Sequence, residues 1–444
     1  MNFVKNKNWC NEKFLFSIYI IVCFIITILP SKKDFPPIQI VTIQLFLTSI
    51  CVFTVHLCKG KKLSQITFLI FTLNLIASVI LRLFYIDFFN NPLGYIPIDS
   101  AEYNRYAVRT CEMSLTEYIN CIKELDIDDR GIQTILYIVY HICGATLGIN
   151  IMIVVNSIFT TISSYYLYKL SSFFLPNKLV VVITALWGTM PFSITTSADG
   201  LKENFFSLFL VVGVYYAYAF FKNGKSNYLV KALLFGSCTV FFRLAVLPIF
   251  MLCLFVIYLN VKIKSTKNFY TVVVVLLIIS SFIFKFVFNY LMQLRGFTDD
   301  TFAAMHEHQY GTSNVSNVSF FNWIFGIIGS FPSFRSSPDK VMYITISNFS
   351  PFVTLMTSSF YLYGMIIAIK KRSEVLPLVV VTLLNTIMII MMSFSFDFRY
   401  RFVQMPFVLM LAGYGLYTMN KAFFKFHILY QILLSCIIIL YNVL

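Results

Sequence analysis

Long apolar runs separated by short polar breaks recur along the whole chain. Runs at 14–29, 38–57, 64–85, 150–168, 179–193, 204–221, 228–242, 244–261, 269–290, 351–369, 375–392, 402–419 and 428–443 come close to the ~20 residues a helix needs to cross a bilayer core. In lipid an unbroken run must satisfy its own backbone hydrogen bonds, so helices are the spanning form. The predicted fold is all-α, a single polytopic transmembrane domain over 1–444 with about 13 spans. It divides into three spans over 1–85, an acidic polar loop with an interfacial or re-entrant helix over 86–148, six spans over 149–290, a second polar loop over 291–350 and four spans over 351–444. No small-residue cleavage site follows the first run (Leu29-Pro30-Ser31-Lys32), so that run is expected to remain a span.

The short apolar segment 132–147 decides the topology. It follows Arg130-Gly131 and contains His141 and Gly144. If it dips into one leaflet rather than crossing, the clusters Lys5/Lys7/Lys13, Lys59/Lys61/Lys62, Lys169/Lys178, Lys222/Lys225, Lys262/Lys264/Lys267, Lys370/Lys371/Arg372 and Lys421/Lys425 share one side. The positive-inside rule favours the dip. The expected protein is therefore multi-pass in the cell inner (cytoplasmic) membrane with a cytoplasmic N-terminus, and 86–131, 193–203, 291–350 and 393–401 share the outer face. Of the 19 Asp and Glu only Glu12 and Glu374 then fall inside.

Composition agrees with this class: 59% hydrophobic residues, 12% charged and a mean hydropathy of +0.80. The net charge of +15 follows from basic cytoplasmic loops, and no nucleic-acid partner is expected. Ten scattered Cys without a CxxC pair argue against a Cys metal site. Cys111 and Cys121, both in the acidic loop, could pair where disulfides persist.

Charges near the ends of apolar runs are costly and point to function. Asp99 and Glu102 open the acidic loop in Tyr95-Ile-Pro-Ile-Asp99-Ser-Ala-Glu102-Tyr103-Asn-Arg105-Tyr106. Ser193–Asn204, with Asp199, Lys202 and Glu203, reads as a polar outer loop after Pro191, and Asp397-Phe-Arg399-Tyr-Arg401 lies between two late runs; Arg243 interrupts a further pair. Each has an ordinary alternative: solvated loop carboxylates, an ion pair at a helix start, or Arg anchors snorkelling to headgroups. His306 and His308 have metal-like spacing but lack a third ligand, and Asn314 and Asn317 open glycosylation sequons.

The order of an acidic first outer loop, a short amphipathic segment, a Pro-containing span, a second acid and Arg399-Tyr400-Arg401…Pro406 resembles the GT-C superfamily of membrane glycosyltransferases. More narrowly it is similar to bacterial relatives of protein O-mannosyltransferases and aminoarabinose transferases. The resemblance implies transfer of a sugar from a polyprenyl-phosphate-linked donor to a glycan, lipid or protein acceptor on the outer face, among membrane lipids. It puts the catalytic acid at Asp99, with Glu102 beside it and Glu203 as the second acid. Arg401, with Arg399 and Arg243, would bind the phosphate, and Lys202, Tyr103 and Arg105 would complete the substrate contacts. A cofactor is unassigned, a divalent cation remaining possible.

Lys202-Glu203 stands where that family usually has Pro-Asp, two extra spans precede the first loop, and no soluble C-terminal domain of the oligosaccharyltransferase kind follows. These departures keep open a Wzy/EpsG-like polymerase of surface polysaccharide repeat units. A transporter or flippase is a further alternative; inverted repeats of broken helices would mark it.

Overall fold

A computed structural model describes residues 38–94, 98–294, 320–329, 349–391 and 398–443. The expected first span at 14–29, most of the second polar loop with His306, His308, Asn314 and Asn317, and Asp397 lie outside the described residues. Within those residues the protein is all-helical. In chain order the helices are α1 (Ile38–Leu57), α2 (Leu63–Phe89), α3 (Ile98–Thr110), α4 (Leu115–Ile122), α5 (Ile127–Cys143), α6 (Ala145–Ser171), α7 (Asn177–Gly188), α8 (Pro191–Asp199) and α9 (Glu203–Asn223). Then come α10 (Ser226–Cys238), a 3-10 turn (Thr239–Phe241), α11 (Val246–Lys262), α12 (Thr266–Leu294), α13 (Phe320–Ile328), α14 (Phe349–Lys371), α15 (Leu376–Met391), α16 (Phe398–Phe402), α17 (Met405–Thr418) and α18 (Lys421–Val443). Among the described residues six stretches are long and apolar enough to cross a membrane: Leu63–Phe89, Ala145–Ser171, Asn177–Asp199, Glu203–Asn223, Val353–Lys371 and Ala422–Leu440.

The acidic loop is mostly helix. Ser114 caps α4, its Oγ accepting from the Glu117 backbone N–H while Glu117 reaches back to the Ser114 N–H, a reciprocal capping box. In α5 the residues Ile132, Leu136 and Tyr140 are buried while Ile138 and Ile142 point outward, a two-faced pattern suited to an interface.

The expected outer loop 193–204 is not a loop. Pro191 sits in the first turn of α8, where its missing N–H costs nothing, so the chain restarts as a helix after the break at Thr189–Met190. Every residue of α8 is buried. Two of its hydroxyls are satisfied internally: Ser193 Oγ donates to Asn204 Oδ1 at 3.2 Å, and Asn204 Nδ2 donates to Ser197 Oγ at 3.0 Å. Helix α2 braces the break with donors one turn apart. Asn74 Nδ2 donates to Gly188 O at 3.0 Å, Ser78 Oγ to Ile194 O at 3.3 Å and Arg82 Nε to Ala198 O at 2.8 Å. The carbonyls of Gly188 and Ala198, which lie at helix ends and lack helical partners, thus find donors.

Helix α9 forms the centre, buried along most of its length and packed against α6, α10 and α11. Helices α14 and α17 cross at Gly364 and Gly415. A Cβ on Gly415 would lie 2.0 Å from Phe360 O, and one on Gly364 2.1 Å from Leu411 O, so this close helix approach requires glycine on both sides.

Candidate functional site

The turns gather at two ends of the bundle. At one end meet the C-terminus of α2, helices α3 to α5, the α8–α9 turn, the turn before α11, and α13 and α16. Every described Asp and Glu except Glu374 belongs to this end.

Three segments converge on Arg399. Asp99 lies in the first turn of α3, and Glu203 opens α9 after Gly200 reverses the chain at φ 75°, a value glycine adopts without steric cost. The short α16 supplies Arg399, whose Nη2 lies 2.7 Å from Asp99 Oδ2 and whose Nε lies 2.9 Å from Glu203 Oε1. Glu203 is fully buried, and its Oε2 has no hydrogen-bond partner among the described residues. Lys202 Nζ forms an ion pair with Asp129, a residue of the acidic loop, and donates to Asp128 O at 3.0 Å. Tyr103 donates its hydroxyl to Asp129 Oδ1 at 3.0 Å. Arg243 lies over the Tyr400 ring at 4.7 Å and the Phe206 ring at 5.3 Å. Its Nη1 is buried with no hydrogen-bond partner among the described residues.

Electrostatics fix the protonation states. Burial alone would raise the Asp99 pKa, but Arg399 foremost, with Lys202 and Arg243, outweighs it and holds the carboxyl below its usual value. Burial first, then the charges of Asp129, Asp99 and Glu203, pushes the Tyr103 phenol well up, so it stays a donor.

Of the sequence-predicted residues, Asp99, Glu203, Arg399, Lys202, Tyr103 and Arg243 come together. Glu102 and Arg105 do not: they are exposed on the side of α3 away from buried Tyr103 and Ala107. Arg401 also turns away. It is 1% exposed and donates from Nη1 to Gly326 O at 2.8 Å and from Nη2 to Ile327 O at 3.1 Å. It therefore holds the C-terminal end of α13 instead of joining the cluster. Two residues along a helix rotate a side chain by about 200°, so Arg399 and Arg401 serve opposite faces of one turn.

Asp199, noted in the sequence but given no role, and Asp129 and Arg82, which were not singled out, also lie here. Asp199 is 3% exposed, and burial confines Arg82 beside it to 2% exposure. Arg82 carried a signal, a charge inside an apolar run; Asp129 was one acid among many. Asp126, Asp128 and Asp129 have carboxylate oxygens within 4.8 Å of one another, but Lys202 and Tyr103 already occupy Asp129. Cys111 and Cys121 are free thiols, contrary to the pairing considered above. Cys111 Sγ faces Val108 O at 3.2 Å, and Cys121 Sγ faces Met113 Sδ at 3.9 Å, each bonded within its own stretch of chain. The chain matches no protein-family model, no curated protein and no solved structure, so the charged cluster itself is what speaks for the chemistry at this end of the bundle.

Proposed function

We propose that this chain is a membrane glycosyltransferase that moves a sugar from a polyprenyl-phosphate-linked donor to a hydroxyl of a glycan, lipid or protein acceptor. The reading includes 13 spans, a cytoplasmic N-terminus and the charged cluster on the outer face of the cytoplasmic membrane. The observation that carries it is Arg399 bridging two carboxylates whose segments are far apart in sequence, Glu203 alone being 196 residues from it. A carboxylate beside a cation, at the end of an apolar bundle, suits a reaction that deprotonates an alcohol and releases a phosphate.

In the transfer, a bond forms between the acceptor oxygen and the anomeric carbon while the bond from that carbon to the phosphate oxygen breaks. The electron pair leaves on the phosphate oxygen, and the hydroxyl proton passes to Asp99, a general base that must lie within hydrogen-bond reach. The charge growing on the phosphate needs preorganised cations. Arg399 and Arg243 take this role, and Arg401, committed to α13, drops out of it. When phosphate draws Arg399 away, Asp99 and Glu203 are released to the acceptor. Lys202 and Tyr103 hold the acidic helices in place through Asp129.

Transfer from a labelled polyprenyl-phosphate sugar in proteoliposomes tests this. Asp99→Asn is expected to lose about a hundred- to ten-thousandfold with donor binding retained, while Glu112→Gln and Glu124→Gln stay near wild type. Equal behaviour of all three removes the assignment. Long products built from lipid-linked repeat units, in place of single additions, would move the same cluster to a polymerase.

A further inference from the structure

The opposite, basic end of the bundle carries a second charged arrangement that the transfer reaction leaves unused. Helix α9 is flanked there by α6 and α10. Its half-buried Phe209 and Tyr216, two turns apart on one face, touch rings from both neighbours. Phe209 meets Phe159 of α6 at 6.4 Å and Phe235 of α10 at 6.2 Å, while Tyr216 meets Tyr166 of α6 at 5.8 Å and Tyr228 of α10 at 6.0 Å. These rings floor a groove whose outward walls are Ile158 and Ile162 of α6 and Val230 and Leu234 of α10, all exposed.

At the polar mouth of this groove sit two lysines. Lys169 Nζ lies 4.4 Å from the Tyr165 ring centroid and 6.0 Å from that of Tyr166, and Lys231 Nζ lies 5.4 Å from that of Tyr216. The hydroxyls of Tyr166 and Tyr216 are 3.2 Å apart, and each of these rings lies within about 6 Å of one ammonium group, Lys169 being nearest to Tyr165. Neither lysine has a carboxylate partner among the described residues, whereas nearby Lys222 pairs with Glu374 at 3.2 Å. Two half-buried cations without a carboxylate partner among the described residues suit an anion. Phenolic donors beside them suit phosphate oxygens, and the exposed aliphatic walls below suit acyl chains.

We infer that the groove between α6 and α10 binds an anionic phospholipid, its phosphate held by Lys169 and Lys231 over the Tyr166–Tyr216 pair and its chains lying along Ile158, Ile162 and Leu234. A general aromatic belt with basic residues would attract such lipids without singling out this pair. Native mass spectrometry of the purified full chain, incubated with phosphatidylglycerol or phosphatidylcholine, separates the two. With about 1 kcal/mol for each basic residue at an anionic surface, Lys169→Gln/Lys231→Gln should bind phosphatidylglycerol roughly thirtyfold more weakly. Lys264→Gln/Lys267→Gln, exposed lysines at the same end, should bind it as wild type does. Equal loss in both doubles, equal retention of the two lipids, or full occupancy of the site by inorganic phosphate alone would each overturn the inference. Should the double variant fail to fold, the single variants are read instead. Each is expected about fivefold weaker, and unchanged single variants reject the site.

Discussion

Replacing Arg399 with Gln removes a cation that Asp99 and Glu203 share, at 2.7 and 2.9 Å. The two carboxylates are not equally affected. The Asp99 side chain is 38% exposed, so water takes up its charge and the loss there stays in the range of about 0–1 kcal/mol found for exposed pairs. Glu203 is fully buried, and stranding a buried charge costs about 3–5 kcal/mol. The buried half therefore sets the result, and Arg399→Gln should destabilise the protein by several kcal/mol. Glu203→Gln should cost less, because Arg399 keeps Asp99 as a partner. The double variant Arg399→Gln/Glu203→Gln should then recover about 2–3 kcal/mol relative to the sum of the singles, the upper range for residues in contact. With the exposed and part-exposed thiols replaced by Ser, a thiol-reactive dye reads unfolding through Cys51 and Cys253, each 1% exposed. Additive single effects, or an Arg399→Gln protein as stable as wild type, would show that the bridge does not hold these segments together.

The same substitution has a pH signature. The folded Asp99 pKa lies below its ordinary value, so the pairing contributes stability at neutral pH and loses it as pH falls through the folded pKa. The acid limb of transfer should accordingly lie below the usual carboxylate range of about 4. In Arg399→Gln, burial acts without its strongest opponent, and a pH profile of residual transfer should show the limb moved upward. At the α14–α17 crossing, Gly415→Ala places a methyl group 2.0 Å from Phe360 O; overpacking of this kind costs about 1–3 kcal/mol, read as a lower dye-detected unfolding midpoint. For the topology, single cysteines at exposed Asn120 and Asn223 in a background without other reactive thiols should label oppositely. An impermeant maleimide on intact cells is expected to reach position 120 and spare position 223.

Six of the expected spans were legible, recurring as long apolar helices among the described residues, because hydrophobic length is a long-range signal that a single residue seldom spoils. Breaks inside them were harder to read. Pro191 marks a restart, and the polar run Ser193–Ser197 looks like a loop until Asn74, Ser78 and Asn204 are known to face it. The site was legible in part for an energetic reason: Asp99, Glu203, Arg243 and Arg399 are charges beside apolar runs, where chance seldom leaves them. Arg399 and Arg401 could not be told apart, since their facing depends on where the five-residue α16 begins. Asp129 was hidden among neighbouring acids, and its contacts with Lys202 and Tyr103 are what single it out.

The donor ladder on α2 also bears on the order of synthesis. A ribosome delivers Asn74, Ser78 and Arg82 about a hundred residues before the carbonyls of Gly188, Ile194 and Ala198 that they satisfy. Until then Arg82 is a cation within an apolar segment, unfavourable in lipid. The α7–α8 segment, in turn, would bring unpaired backbone into the bilayer if it entered without α2. Each half is a poor client for the insertion machinery alone, and each is acceptable once the other is beside it. Insertion of α2 and of the α7–α8 segment is thereby energetically coupled, so the ladder that braces the finished fold also sets which pair of segments must meet before either is at ease in lipid.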